Sequence, residues 1–271
     1  MDEQRIRDMT RRMRRSILEI SHASNTSAHL GGCLSIVDIL ATLYGAVLTY
    51  DPKDPAWEGR DRFVLSKGHG ALGYYCALHE AGVISEDVLR TFQTNGSALI
   101  AHPVMNIALG IESSNGSLGH GLSMGVGLAL AAKKKRLGHR IYVLLGDGEC
   151  NEGSVWESVM SAAQLKLDNL VAIVDHNHYQ NDGKDEHIIN FGDFAAKWCA
   201  FGWNATSVNG HDVAELYEAL TRNHVEGKPT ALIAQTIKGK GVPFMENNNE
   251  WHHNRLTKAL YERALQEMGE A

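Results

Sequence analysis

Cysteine is scarce in this sequence and never paired. Cys33, Cys76, Cys150 and Cys199 are widely spaced, with no CxxC among them. That spacing excludes a disulfide framework and a cysteine zinc site, and it fits a reduced, cytoplasmic setting. Excess positive charge is also missing. The 26 Lys and Arg stand against 32 Asp and Glu, for a formal net charge of −6 and a pI of about 6.1. This balance gives no long-range attraction to nucleic acid or anionic membrane, so neither is expected as a partner. The basic run Lys133 to Arg136 closes a helix-like segment, where the helix dipole favours cations. The N-terminus lacks the apolar core of a signal peptide, and no apolar run is expected to span a bilayer. There is no internal repeat and no low-complexity linker.

What remains is a globular composition. The chain has 271 residues, 44% of them hydrophobic and 21% charged, enough for a sizeable core. Ile6, Met9, Met13, Ile17 and Ile20 recur at helical spacing near the N-terminus, which predicts an amphipathic helix. After the loop "DPKDPAWEGRDR" comes the strand "RFVLS" and the helix "GALGYYCALHEAG". A Gly- and Ser-containing loop then leads to the helix "HGLSMGVGLALAAKKKR". Strands "RIYVLL", "LVAIVD", "NATSV" and "TALIAQTI" alternate with helices "GSVWESVMSAAQLK", "FAAKWCAFG" and "DVAELYEALTRN", and a last helix is expected near 255–268. Apolar strands alternating with helices predict an α/β fold, a mainly parallel sheet with helices on both faces.

The stretch "VLLGDGECNEG" (143–153) sets an acidic residue between two glycines at the end of an apolar strand. Gly146 and Gly148 permit a sharp turn and a close approach, and Asp147 faces whatever is approached. In such sheets ligands sit beyond the carboxyl ends of the strands. The next strand ends in "HNHYQNDG", and one helix joins the two in a right-handed crossover. Asp147 and Asn177 therefore meet at one edge of the sheet. A carboxylate and an amide oxygen suit a hard cation, Mg²⁺ or Ca²⁺. Protein ligands are few, so a phosphate-bearing cofactor should supply further oxygens, with the helix starting near Asn151 aiming its positive end at the crevice. A turn aspartate and a strand-end asparagine with capping roles only is the plainer alternative.

Gly-Asp-Gly followed about thirty residues on by Asn resembles the thiamine diphosphate fingerprint, and the crossover "GDGECNEGSVWESVMSAAQLKLDNLVAIVDHN" resembles that of transketolases. The likeness extends in order through "SAHLGGCLSIVDILATLY", "RFVLSKGHGALGYY", "AHPVMNIALGIESSNGSLGHGLSMGVGLALA" and "IKGKGVPFMENNNEWHH". The resemblance implies one diphosphate-binding domain over 1–271. It implies that Asp147, Asn177 and the Tyr179 carbonyl hold Mg²⁺ (with Ca²⁺ or Mn²⁺ as substitutes), and that Gly148 and Asn177 sit against the cofactor. By the same likeness His69 contacts the diphosphate, and Gly116 and Leu118 hold the aminopyrimidine ring through backbone groups. His29 and His102 face the substrate, and His252, in preference to His253, returns to the diphosphate and reaction centre. His22, His79, His139, His187, His211 and His224 are expected only as capping or surface residues.

Two departures stand out: "HLGG" where transketolases usually have His-Pro-Gly, and His120 where Gln is usual. A full transketolase resembles three domains, and this sequence matches the first. The resemblance therefore implies the N-terminal subunit of a split transketolase, paired with a C-terminal subunit in a heterotetramer. Its reaction would move a two-carbon ketol unit from a ketose, expected to be phosphorylated, to an aldose. By resemblance the glutamate that activates the aminopyrimidine belongs to the second domain, while Glu152 faces a subunit contact. Alternatives are another thiamine enzyme (a 2-oxo acid dehydrogenase component or deoxyxylulose phosphate synthase), a Mg²⁺-dependent phosphotransferase, or a binding subunit without turnover.

Overall fold

A computed structural model of the chain, which describes residues 1–269, is built on five parallel strands. They are β1 (Arg62–Leu65), β2 (Ile141–Gly146), β3 (Leu170–His176), β4 (Asn204–Asn209) and β5 (Thr230–Gln235), in sheet order β1-β2-β3-β5-β4. Every pairing is parallel. The main helices are α1 (Glu3–Ser24), α2 (Leu30–Leu34), α3 (Val37–Thr42), α4 (Ala71–Glu80), α5 (Gly121–Lys134), α6 (Gly153–Gln164), α7 (Phe194–Ala200), α8 (Val213–Arg222) and α9 (Lys258–Glu267). Each predicted strand and helix is present, shifted by a few residues at most.

The residues of the inner strands are buried on both faces, and alternate positions feed two separate cores. Tyr142, Leu144, Val171 and Ile173 pack with α1, α3, α4 and α8 on one side. Val143, Leu145, Ala172 and Val174 pack with α5, α6 and α7 on the other. That is the period-two consequence of a pleated strand covered by helices above and below. The amphipathic α1 buries Ile6, Met9, Met13, Ile17 and Ile20, is capped by Asp2 accepting from the Arg5 N–H, and ends on Asn25 in the left-handed conformation. On the opposite face, α5 comes close enough to the sheet that a Cβ on Gly125 would stand 2.5 Å from Val143 Cγ2.

The expectation that no apolar run could span a bilayer does not hold by length and composition alone. The stretch Leu30–Val47 has both for a membrane span, at 18 residues and mean hydropathy 1.7. It is 83% buried inside the fold and is divided into α2, α3 and a π-helical turn at Leu43–Val47. Core packing on all sides accounts for its composition.

Trp198 centres the second core. It has no exposed surface, and its ring meets Trp203 edge-on at 4.7 Å and lies 6.0 Å from Trp156. Its indole nitrogen has no hydrogen-bond partner, so its contribution is packing. Trp198→Ala is expected to cost about 3–5 kcal/mol of unfolding free energy, and Trp198→Phe far less. Urea titration of both variants checks this; equal losses would show that the packing account is wrong.

Candidate active site

The strands β2 and β3 end side by side. Gly146 pairs with Asp175, and the Asp147 N–H donates to the Asp175 carbonyl at 3.2 Å. Asp147 is 2% exposed. Its two carboxylate oxygens accept the backbone N–H groups of Gly148 and His178, both at 2.7 Å. Asn177 is also buried; its Nδ2 donates to Asp175 at 2.8 Å and its Oδ1 accepts the Tyr179 N–H at 3.1 Å. His178 between them adopts a left-handed φ of 64°, a conformation uncommon outside glycine but one that histidine adopts more readily than most residues. Both candidate ligands thus brace their own loops, and each oxygen keeps lone-pair capacity for a cation. Burial, with Asp175 second, pushes the Asp147 carboxyl up to about 7, a shift that a bound cation would oppose.

The glycines of the GDG turn act differently from the sharp bend expected. Neither Gly146 nor Gly148 has a positive φ. A Cβ on Gly148 would sit 2.8 Å from Gln180 Cγ, whereas one on Gly146 would meet nothing closer than Lys67 Cβ at 3.8 Å. Close approach explains Gly148; both glycines also face the cavity, which any side chain there would fill.

Every site residue named from the sequence lines a single cavity of about 400 Å³: His29, His69, His102, Gly116, Leu118, Asp147, Gly148, Asn177, Tyr179 and His252. The histidine rings form one cluster, with His29 at its centre, 5.3 Å from His69, 5.7 Å from His102 and 5.5 Å from His252. His253 does not line the cavity, yet its ring reaches 4.5 Å from His29. Of the two tail histidines, His252 thus forms part of the cavity wall and His253 stands at its rim. His120 is exposed and off the cavity wall. His211, expected at the surface, is half-buried. It bridges Asp38 at 2.7 Å and the Ile237 N–H at 2.8 Å.

Several wall residues carry no sequence signal of their own. Lys67 is buried and paired with Asp175. Lys238 Nζ donates to Asn249 at 2.8 Å and to His252 Nδ1 at 2.9 Å, which leaves the His252 proton on Nε2. Glu149 is buried and fully engaged, accepting from Ser66 Oγ and from the backbone of Gly119 and Gly146. Lys67 follows "RFVLS" directly, so strand-end position is the one clue that could have found it. The two glycines of "HLGG" also find their reason here, whereas the departure itself is Leu30 in place of proline. A Cβ on Gly31 would lie 2.9 Å from the Trp251 carbonyl, and one on Gly32 3.1 Å from the His69 ring. Both glycines let α2 accept the tail and the histidine cluster.

The wall suits a Mg²⁺-bound diphosphate. Oxygen ligands gather at one corner, and Lys67, Lys238, His69 and His252 offer cationic or N–H donors beside it. Asn151 Oδ1 and Gln180 Nε2, both on this wall, are buried without hydrogen-bond partners and remain available to a ligand. The histidines are held neutral. Burial, then neighbouring histidines and Lys67, lowers His29 to about 3. Burial and Lys238 lower His252 to about 4, and burial lowers His69 and His102 as well. Burial and Lys67 bring Lys238 down to about 8.

The family model described as transketolase, thiamine diphosphate binding domain, matches residues 7–270. A protein of Actinobacillus succinogenes, named as one subunit of an apulose-4-phosphate transketolase, is 45% identical over 256 residues, spanning 94% of this chain and 93% of its own. A 6-deoxy-6-sulfo-D-fructose transketolase subunit from a Clostridium species is 40% identical over 89% of this chain and 88% of its own. The solved transketolase of Campylobacter jejuni superposes with a TM-score of 0.92 at 32% identity, over 99% of this chain but only 43% of that one.

The neutral histidines set a pH dependence. An unfolded histidine takes its proton near 6.5, but His29 and His252 refuse theirs in the fold until about 3 and 4. The unfolded state therefore binds more protons in this window, and stability present above 6.5 is lost as pH falls towards 4. Asp147, raised to about 7, contributes the opposite slope, so the readout is a difference. His29→Asn/His252→Asn is expected to lose less thermal stability than the wild type between pH 7 and 4.5. Parallel melting curves would show that these two histidines do not carry the effect.

Proposed function

The chain belongs to the transketolase thiamine diphosphate-binding family, and from that premise we propose that it is the cofactor-binding subunit of a two-chain transketolase. The observation that carries this reading is the single cavity where Asp147, Asn177 and Tyr179 meet the cluster of His29, His69, His102 and His252. Its support from relatives is length: proteins named as transketolase subunits are matched over about nine-tenths of their own chains. Asp147, Asn177 and the Tyr179 carbonyl would hold Mg²⁺. His69, His252 and Lys238 would receive the diphosphate, and Gly116 and Leu118 would offer backbone groups to the aminopyrimidine.

Bound thiamine diphosphate supplies a carbon nucleophile that takes up a two-carbon ketol unit and passes it on. The chain's own share is orientation and proton handling. His29 and His102 are neutral near pH 7 and can exchange a proton with a sugar hydroxyl, whereas His252, its Nδ1 already accepting from Lys238, can only donate. The Nε2–H of His252 donates while its Nδ1 stays tied to Lys238. The relatives' names specify a phosphorylated and a sulfonated sugar. For this chain the reading extends to the class only: an anionic ketose as donor and an aldose as acceptor.

The partner we propose is a C-terminal transketolase subunit, in a heterotetramer. Glu149 cannot activate the aminopyrimidine, because its oxygens are committed to Ser66, Gly119 and Gly146. Exposed Met124 on α5 and Met160 on α6 offer apolar surface for an assembly. The setting is read as reducing and cytoplasmic, since all four cysteines are free and three are buried.

Two experiments test this. Asp147→Ala should reduce Mg²⁺-dependent binding of thiamine diphosphate by at least tenfold with the circular dichroism unchanged, as read by calorimetry; unchanged affinity removes the cation assignment. The chain alone, given thiamine diphosphate and Mg²⁺, should transfer little ketol from xylulose 5-phosphate, and co-expression with a C-terminal transketolase subunit should restore transfer. Robust turnover by the chain alone would redirect attention to Glu152 on the cavity rim, and phosphotransfer without thiamine diphosphate would favour the phosphotransferase alternative.

A further inference from the structure

A second group of ligating side chains lies just behind the cation corner. His176 ends β3, His178 occupies the left-handed turn, and Asp185 opens the short helical turn Asp185–Ile188. None of the three lines the diphosphate cavity. Among the described residues they form the one group of His, Cys, Asp and Glu whose ligand atoms, three or more, all fall within 4.8 Å of one another. His176 Nε2 is 3.2 Å and His178 Nδ1 3.5 Å from Asp185 Oδ2.

Those separations match a coordination sphere. Ligands about 2.0–2.2 Å from a metal stand roughly 3.0 Å apart in octahedral geometry and roughly 3.5 Å apart in tetrahedral geometry. The donor set is also selective. Two imidazoles and one carboxylate suit Zn²⁺, Co²⁺ or Ni²⁺, whereas Mg²⁺ and Ca²⁺ favour all-oxygen sites.

The surroundings orient the ligands. His176 Nδ1 is 3.2 Å from the Gln235 side-chain amide; for Nε2 to ligate, Nδ1 must carry the proton, so the amide must turn its oxygen towards the ring. The Phe194 ring packs edge-on against His176 at 5.0 Å. The second oxygen of Asp185 accepts the Glu186 N–H at 2.6 Å, and the Asp185 N–H donates to the His178 carbonyl at 3.1 Å. Such outer contacts fix ring orientation in metal sites. The His178 side chain is half-exposed, 51% by area, which leaves an approach for the ion and room for a solvent ligand.

We propose that His176, His178 and Asp185 form a binding site for one transition-metal ion of the zinc class, separate from the hard-cation corner at Asp147. The ion would tie together the end of β3, the turn at His178 and the start of the segment after it. His178 stands between Asn177 and Tyr179 and its N–H holds Asp147, so occupancy would stiffen that turn.

The test uses the full, tag-free chain in excess Mg²⁺ without thiamine diphosphate, titrated with Co²⁺ and then displaced with Zn²⁺. One Co²⁺ per chain is expected, with visible absorption of the intensity given by four- or five-coordinate nitrogen-containing sites. His178→Asn, chosen because Asn also tolerates a left-handed turn, and Asp185→Asn should each weaken binding by at least tenfold. His102→Ala should leave it unchanged. X-ray absorption at the zinc edge of the unmutated chain should count two imidazoles, and this readout does not depend on any variant folding. No cobalt spectrum would reduce the triad to an ion pair and overturn the proposal. So would a signal that survives His178→Asn and disappears in His102→Ala, which would place the metal in the cavity's histidine cluster.

Discussion

The carboxylate of Asp175 holds the site together. It has no exposed surface and accepts from Lys67, Thr236, Ser35 and Asn177. Those four donors come from the residues after β1 and β5, the junction of α2 and α3, and the cation loop. One charge thus fixes three strand ends and the helix layer against each other. Against the upward push of complete burial, Lys67, Thr236 and Ser35 hold its carboxyl below its ordinary range. A buried ion pair recovers its desolvation cost only when its remaining lone pairs are filled, and here they are. The same arrangement makes the pair intolerant of a missing partner, since a lone Lys67 or Asp175 would be a bare charge in the core.

From that pair the electrostatics of the cavity follow. Lys67 is neutralised, but its field still reaches His29, His69, His252 and Lys238, adding to burial in lowering each. On the other side Asp175 adds to burial in raising Asp147. Burial and like-charge neighbours therefore move the wall's acids and bases towards neutrality together. Such a wall responds strongly to an anion and a cation arriving as one unit, because each relieves one half of the shift. Neutral imidazoles nearby then remain able to accept protons at ordinary pH, which a wall of protonated histidines could not do.

The parts legible in the sequence are those with local causes. Apolar runs mark β1, β2, β3 and β5 because helices cover both faces of the sheet there, while the edge strand β4 (NATSVN) keeps polar and exposed positions. Gly-Asp-Gly and the later Asn are readable because each sits at the end of such a run, and parallel register brings the ends level. Lys238, Asp175 and Glu149 are not legible. Each has its role through residues distant in sequence: Lys67 and Thr236 for Asp175, Ser66 for Glu149. No period or spacing encodes such a pairing. The approach of His253 to His29 is hidden for the same reason, since the tail's path is set by packing rather than by its own pattern. In the sequence Gly31 and Gly32 carry no reason of their own; their sense lies in what presses on them, the Trp251 carbonyl and the His69 ring.

The tail is the least locally determined wall of the cavity. It is held by a two-residue antiparallel pairing of Ser27 and Ala28 with Arg255 and Asn254, by Lys238 bonding Asn249 and His252, and by Trp251 in the core. Only the Lys238 contacts tie the tail to the sheet's ligand edge; the others join it to the segment after α1 and to the core. The cation corner, in contrast, is built by one strand–helix–strand unit whose ends are neighbours in the sheet. The two halves of the site therefore rest on different kinds of cooperation. The corner of Asp147 and Asn177 rests on the local crossover and Asp175, while the histidine cluster needs both chain ends docked on α2. A weakened tail would then displace His252 while Asp147 and Asn177 stayed in register.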